Sequence, residues 1–206
     1  MNSNKFVKTV LVGTGTLLIL AGGMTAVIDP FFHYHKPLKQ LEYPLERGKE
    51  RYLNNGIIQN FDYDAAITGT SMMQNFKTSQ FDDLFGTHSV KVTLTGDTYW
   101  AIDEEIRTIF DNKSDIKYIF RCLDYNKIFD DKSDYNYDNV PTYLYDNNIW
   151  NDVQYLFNKD IFIDNTLGVI KYTLHGEKTP SMDEYSSWAA DYPVGTDYVL
   201  QTYSVP

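Results

Sequence analysis

The chain has 206 residues, enough for one domain with a real core plus a short appendage. Apolar residues make up 43% and aromatics 16%, which excludes a disordered chain. The net charge of -10 argues against a nucleic-acid partner and against docking on anionic lipid by charge. The single cysteine, Cys122, precludes an intramolecular disulfide and speaks against a cysteine-based zinc site. It lies in the apolar run YIFRCL and reads as a buried small hydrophobe.

Residues 7–28 are uncharged except for Lys8, and Lys5 precedes them. As a helix this stretch would span ~33 Å at ~1.5 Å per residue, against ~30 Å of hydrocarbon. Residues 1–28 are expected to hold a short cytoplasmic N-terminus and a single transmembrane anchor. The flanking lysines place the N-terminus in the cytoplasm and the rest of the chain outside it. The competing reading is a cleaved signal peptide, for which LAGGMTA supplies small residues. Apolar character continues past that point to Val27 and Ile28, and DPFFHYH supplies aromatics for an interfacial belt, so retention is preferred.

Residues 29–60 read as a connecting arm, with Pro30, Pro37 and Pro44 and no sustained period. Asn55-Gly56 is a turn signal, and short helical pieces fit residues 45–53. From residue 61 to 206 the pattern is that of an α/β domain. YDAAITG reads as a buried strand, and residues 72–85 as a helix with Met72, Met73, Phe76, Phe81 and Leu84 apolar. SVKVTLTG is a second strand, with Val90, Val92 and Leu94 alternating against polar partners. TYWAIDEEIRTIFDN is an amphipathic helix with Trp100, Ile102, Ile106, Ile109 and Phe110 on one face, and IKYIFRCLDY a third strand. The order β-α-β-α-β predicts parallel strands at 65–68, 90–94 and 118–123 with the first central, the front half of a three-layer α/β/α sandwich. Residues 130–148 read as a solvated loop, without the calcium-loop pattern. Residues 149–174 read as one or two helices with Ile149, Val153, Leu156, Phe157 and Ile161 apolar. No clear period follows residue 175, and the sheet is expected to be incomplete at the C-terminus.

Ligands of such a sheet bind beyond the carboxyl ends of its strands. Those ends carry Gly69-Thr70-Ser71, Thr95-Gly96-Asp97 and Asp124-Tyr125-Asn126. The set suits acyl transfer. Ser71 supplies a hydroxyl, its own N–H and that of Gly96 face a developing oxyanion, Asn126 adds a donor, and Asp124 can orient a base. Plainer readings stand beside these: Ser71 or Asp97 as a helix N-cap, and Gly96 as a turn glycine. His33 and His35 lack further ligands at metal-site spacing and suit the interface; His175 reads as a solvated loop residue. No metal and no other cofactor is expected.

GTSM after a buried strand, a glycine after the second and an Asp/Asn cluster after the third resemble the first three blocks of SGNH/GDSL-type hydrolases. NNGIIQNFDYDAAITGTSMMQNF and DPFFHYHKP resemble membrane-anchored SGNH-like proteins of bacterial cell-surface polysaccharide loci. The resemblance implies an SGNH/flavodoxin-like sandwich with Ser71 as nucleophile, Gly96 as oxyanion donor and Asn126 as the nearest match to the third-block asparagine. It implies an extracytoplasmic esterase or acyltransferase acting on acyl groups of a cell-envelope glycan. The family's last block, Asp-x-x-His, has no match here: none of His33, His35, His88 and His175 has an Asp three residues earlier. A truncated chain accounts for that, and so does a non-catalytic binding or assembly protein of surface-polysaccharide biosynthesis.

Overall fold

In the computed structural model, which describes residues 3–131, 134, 140–146 and 148–188, the first element is a 26-residue helix, α1 (Ser3–Ile28). It is long and apolar enough to cross a membrane, and only 17% of its most apolar window is buried by protein. The described residues divide between two compact units. One draws on Met1–Pro44, Arg51–Phe61 and Tyr137–Thr179, the other on Leu45–Glu50, Asp62–Asn136 and Pro180–Pro206.

In the first unit α1 is bare along most of its length, with Leu11, Val12, Leu17 and Ile19 exposed, whereas Gly22, Thr25 and Ile28 near its end are buried. Asp29 takes a left-handed conformation at φ +49, and Pro30 cannot continue the helix. Phe31 and Phe32 were expected at a membrane interface; both are buried in protein instead, Phe32 against Tyr43 and Phe61, with ring centroids 5.1 and 5.2 Å away. Asn55-Gly56 is not a turn. It lies inside α2 (Glu50–Asn60), where Leu53, Ile57 and Ile58 form the buried stripe. A Cβ on Gly56 would stand 2.1 Å from the Phe31 carbonyl oxygen, so this glycine serves a close backbone approach.

Residues 149–174 form a turn, then α5 (Val153–Leu156), a π-helical stretch at Ile161–Thr166, and α6 (Leu167–Leu174). Of the five apolar positions expected to face inward, Ile161 is buried, Leu156 is half-buried, and Ile149, Val153 and Phe157 are exposed. The inward side is instead Tyr155, Ile161, Thr166 and Val169. The misses precede the π turn: Ile149 lies in a turn and α5 is a single helical turn, so no continuous 3.6-residue period runs from 149 to 161.

The second unit contains the sheet. Strands β1 (Ala65–Gly69), β2 (Ser89–Thr93) and β3 (Tyr118–Arg121) are parallel in the order β2-β1-β3. Ala65 stands opposite both Ser89 and Tyr118, so the three carboxyl ends fall nearly level. β3 is shorter than residues 118–123. Two helices provide the crossovers. Residues 72–85 are not one helix: a 3-10 turn at Ser71–Asn75 breaks at Phe76, and α3 (Thr78–Phe85) follows. The hydroxyl and N–H groups that open α3 donate to the Asp183 carboxylate from Thr78 Oγ1 and Ser79 N, both at 2.9 Å. α4 (Tyr99–Asn112) matches expectation in extent. Its inner face is Ala101, Ile102, Glu105 and Ile109, while Trp100 and Phe110 lie outside.

β2 is buried on both sides, not half-buried as its alternation suggested. The polar face is covered partly by residues 183–185: Lys91 Nζ donates to the carbonyls of Gln74, Asp183 and Tyr185 at 2.7, 2.8 and 3.2 Å. Burial pulls the Lys91 pKa down to about 8, against the opposing pull of Asp183. Residues 189–206, and within 130–148 residues 132–133, 135–139 and 147, lie outside the described residues.

Candidate active site

β1 ends at Gly69, whose φ of +144 and closeness to Met73 leave no room for a Cβ: one would meet Met73 Cγ at 2.6 Å. The chain then turns sharply into the 3-10 segment, and Thr70 is its cap. Thr70 Oγ1 accepts from Met72 N at 3.4 Å and donates to Asp124 Oδ2 at 2.5 Å. Ser71 is therefore not the cap, which corrects the plainer reading of that residue. It is the first residue of the turn, half-exposed, and among the described residues its hydroxyl has no hydrogen-bond partner. Its N–H opens the turn, where no intrahelical carbonyl can meet it.

The turn is held from several sides. Trp188 Nε1 donates to the Ser71 carbonyl at 2.9 Å, and Trp188 N donates to Asn75 Oδ1 at 3.0 Å. Gln74 Nε2 donates to Glu50 Oε1 at 3.0 Å and to Thr95 Oγ1 at 2.7 Å, which fixes the turn to the end of β2. Glu50, buried, also accepts from Ser186 Oγ at 3.1 Å. Glu50, Gln74, Asn75 and Trp188 escape a reading of the sequence. Glu50 and Trp188 lie far along the chain, and nothing local marks Gln74 and Asn75 as partners of distant groups.

Gly96 follows β2 in a tight turn, exposed, at φ +68. A Cβ there would meet nothing within 4 Å, so the conformation, not the space, favours glycine. Asp97 does not cap α4. Thr98 does, its side chain accepting from Ala101 N at 3.4 Å. Asp124 receives the Thr70 hydroxyl on one oxygen and the Cys122 thiol, at 3.4 Å, on the other. Cys122 is half-buried and not fully buried as its apolar run suggested, and burial, then Asp124, push its thiol pKa up. Asn126 is exposed in a 3-10 turn at Tyr125–Lys127. Ser71, Gly96, Asp124 and Asn126 thus all follow the same edge of the sheet. The unit's one histidine, His88, precedes β2 at the opposite edge, with its N–H donating to Asp64 Oδ1 at 2.7 Å. Beside the end of β3 lies a groove of about 210 Å³ lined by Tyr99, Trp100, Asp103 and Arg121. The guanidinium lies 5.1 Å from the Tyr99 ring centre and 3.5 Å from Asp103 Oδ1, and its buried Nε has no partner among the described residues.

The first unit carries a separate polar cluster. The buried Asp29 carboxylate accepts from the N–H groups of His33, Tyr34 and His35 at 2.9, 2.7 and 3.0 Å and from Tyr155 OH at 2.7 Å. The His33 ring is mostly buried, with Nε2 3.4 Å from Asp152 Oδ1, and Tyr34 OH donates to the other Asp152 oxygen at 3.0 Å. Among the described residues no group of three or more His, Cys, Asp and Glu converges as a metal site. Burial, reinforced by Asp29, raises the Tyr155 pKa well above 10, and burial with Asp152 raises that of Tyr34. The sign follows from linkage. Native phenols hold their protons more tightly than unfolded ones, so stability is full below about pH 10 and falls as pH rises past it. Urea unfolding at pH 11 and 12, above the range in which Lys91 titrates, should show a falling midpoint; an unchanged midpoint between them would contradict the burial of these phenols.

No protein-family model, no curated protein and no solved structure matches this chain.

Proposed function

We propose that the chain is a membrane-anchored, extracytoplasmic serine esterase or acyltransferase of SGNH type, acting on acyl groups of a cell-envelope glycan. The observation that carries the reading is Ser71. It is a half-exposed serine whose hydroxyl has no hydrogen-bond partner among the described residues, at the first position of a turn beyond the carboxyl end of the central parallel strand. Reading the three-strand sheet as the core of a three-layer sandwich gives that position the role of a nucleophile. The hydroxyl attacks the acyl carbonyl and forms a tetrahedral intermediate, its proton passing to a base outside the described residues and from that base to the departing alcohol. The Ser71 N–H, the Gly96 N–H and the Asn126 side chain hold the oxyanion, and the alcohol leaves as the acyl-serine forms. Asp124, through Thr70, fixes the turn.

The anchor reading is supported by the end of α1. Cleavage within residues 20–26 would strip away residues that the first unit uses: Gly22 lies against Phe157, and Thr25 Oγ1 lies 3.1 Å from Thr166 Oγ1 in a buried contact. The glycan reading is supported by the groove at Arg121. An open groove with two aromatic side chains, a cation and a carboxylate suits a hydroxylated, partly apolar ring. Arg121→Ala should raise KM for an acylated glycan about tenfold, the scale of one charge-assisted hydrogen bond, with kcat little changed. An equal loss in kcat alone would place Arg121 outside the substrate groove.

The absence of a histidine from the described part of the strand-end cluster favours the second reading, a non-catalytic SGNH-like protein that binds or assembles surface polysaccharide. Fluorophosphonate reactivity of Ser71 in the full-length protein separates the two.

A further inference from the structure

The end of α1 is packed by a helical stretch that leaves an apolar surface uncovered among the described residues. A Cβ on Gly22 would meet the Phe157 ring at 2.8 Å, and Thr25 meets Thr166. The same stretch exposes Trp150 (82%), Val153, Phe157, Ile163, Leu167 and Leu174 (78%). Val153 and Phe157 are four apart; Ile163, Leu167 and Leu174 are four and seven apart. Each set marks one side of a helical segment.

Depth follows from the anchor. About 20 helical residues fill the hydrocarbon, and counting from Thr9, just past Lys8, reaches Ile28. Gly22 then lies about 9 Å inside the hydrocarbon boundary and Thr25 about 4.5 Å inside, at ~1.5 Å per residue. Phe157 and Thr166, which touch them, lie at those depths too. Interfacial helices bury their apolar side to a similar depth, roughly 5–10 Å.

We propose that residues 150–174 form an interfacial collar, lying in the same bilayer boundary that α1 enters, with Trp150, Phe157 and the Ile163–Leu167–Leu174 stripe covered by lipid. This rests on reading α1 as a membrane anchor. The collar binds by apolar burial and not by charge. Its exposed charges, Lys159, Asp160, Asp164 and Lys171, balance, with Lys159 Nζ 3.7 Å from Asp160 Oδ1, so neutral lipid suffices. The occupant of this face is therefore the acyl-chain and headgroup boundary of the membrane, continuous with the lipid around α1. The collar also fixes the tilt of the first unit against the membrane plane, because one rigid contact with α1 leaves rotation about the helix axis open and a second lipid contact closes it.

The test uses the full chain with Cys122→Ser and one new cysteine at a time: Leu17→Cys, Trp150→Cys or Leu174→Cys. All three positions are exposed, so the fold is kept. Each is labelled with an environment-sensitive fluorophore and reconstituted in phosphatidylcholine vesicles containing nitroxide lipids, with the spin label either near the headgroup or deep in the chain. The expected result is loss of most fluorescence at residue 17 with the deep label, and at residues 150 and 174 with the shallow label, with little quenching by aqueous iodide at any of them. Quenching at 17 with none at 150 and 174 would overturn the collar and leave the anchor intact. Labels at 150 and 174 shielded from both lipid and iodide would overturn it in favour of a protein partner or a second copy. Absence of lipid quenching at 17 would remove the anchor and the collar together.

Discussion

If Ser71 is the proposed nucleophile, Ser71→Ala should remove fluorophosphonate labelling of the full-length protein and lower acyl-ester turnover by about 10⁴–10⁶-fold, the scale on which nucleophile replacement acts in serine hydrolases. The same substitution leaves stability within about 0.5 kcal/mol, because the lost hydroxyl has no hydrogen-bond partner among the described residues and is half-exposed. The neighbouring residue behaves in the opposite way. Thr70→Ala deletes the cap of the 3-10 turn and the bond to Asp124, costs of about 0.5–2 and 1.5–3 kcal/mol taken singly. It should lower the melting temperature and slow labelling through a looser turn without abolishing it. Two adjacent hydroxyls thus separate reactivity from stability. A full-length wild type that neither labels nor cleaves an acyl ester would reject the enzyme and leave the binding-protein reading. Persistent labelling of Ser71→Ala would place the reactive serine elsewhere.

The sheet was legible because its strands are short apolar runs ended by glycine or polar residues, and because the helices between them are long enough only for parallel crossovers. The strand-end residues followed from that order alone: the level register of Ala65, Ser89 and Tyr118 puts Ser71, Gly96 and Asn126 at one edge. What could not be read depends on partners distant in sequence. Lys91 looks like the solvent side of an edge strand until residues 183 and 185 return to receive it. Thr70, not Ser71, caps the turn because Asp124 selects it from 54 residues away. Asp152, the partner of His33, is 119 residues on. Phe32 sits at φ +58, a conformation that a bulky residue adopts only when its surroundings force it, and no local pattern announces that.

Gly56→Ala should destabilise the first unit by about 3 kcal/mol, although a propensity scale predicts the reverse. Alanine in place of glycine inside a helix gains about 1 kcal/mol. Against that gain stands the new Cβ, 2.1 Å from the Phe31 oxygen and 2.7 Å from the Phe32 oxygen, where ordinary contact begins near 3.4 Å. Backbone, not a flexible side chain, must move by more than an ångström. That loop is tied down on both sides: Asn60 Nδ2 donates to Phe32 O at 2.7 Å, and the Asp29 carboxylate holds the three N–H groups that follow Phe32. Retreat breaks some of these bonds at about 1 kcal/mol each, on top of an overpacking cost of about 1–3 kcal/mol. Gly168→Ala is the matched control. Gly168 lies inside α6 with nothing within 4 Å of its would-be Cβ, so there the propensity gain of about 0.5–1 kcal/mol should stand. Thermal unfolding of both variants should rank Gly168→Ala above wild type and Gly56→Ala about 6–12 °C below it. A Gly56→Ala protein as stable as wild type would mean that residues 31–32 do not pack on α2, and the Asp29 cluster would lose the support that this contact gives it.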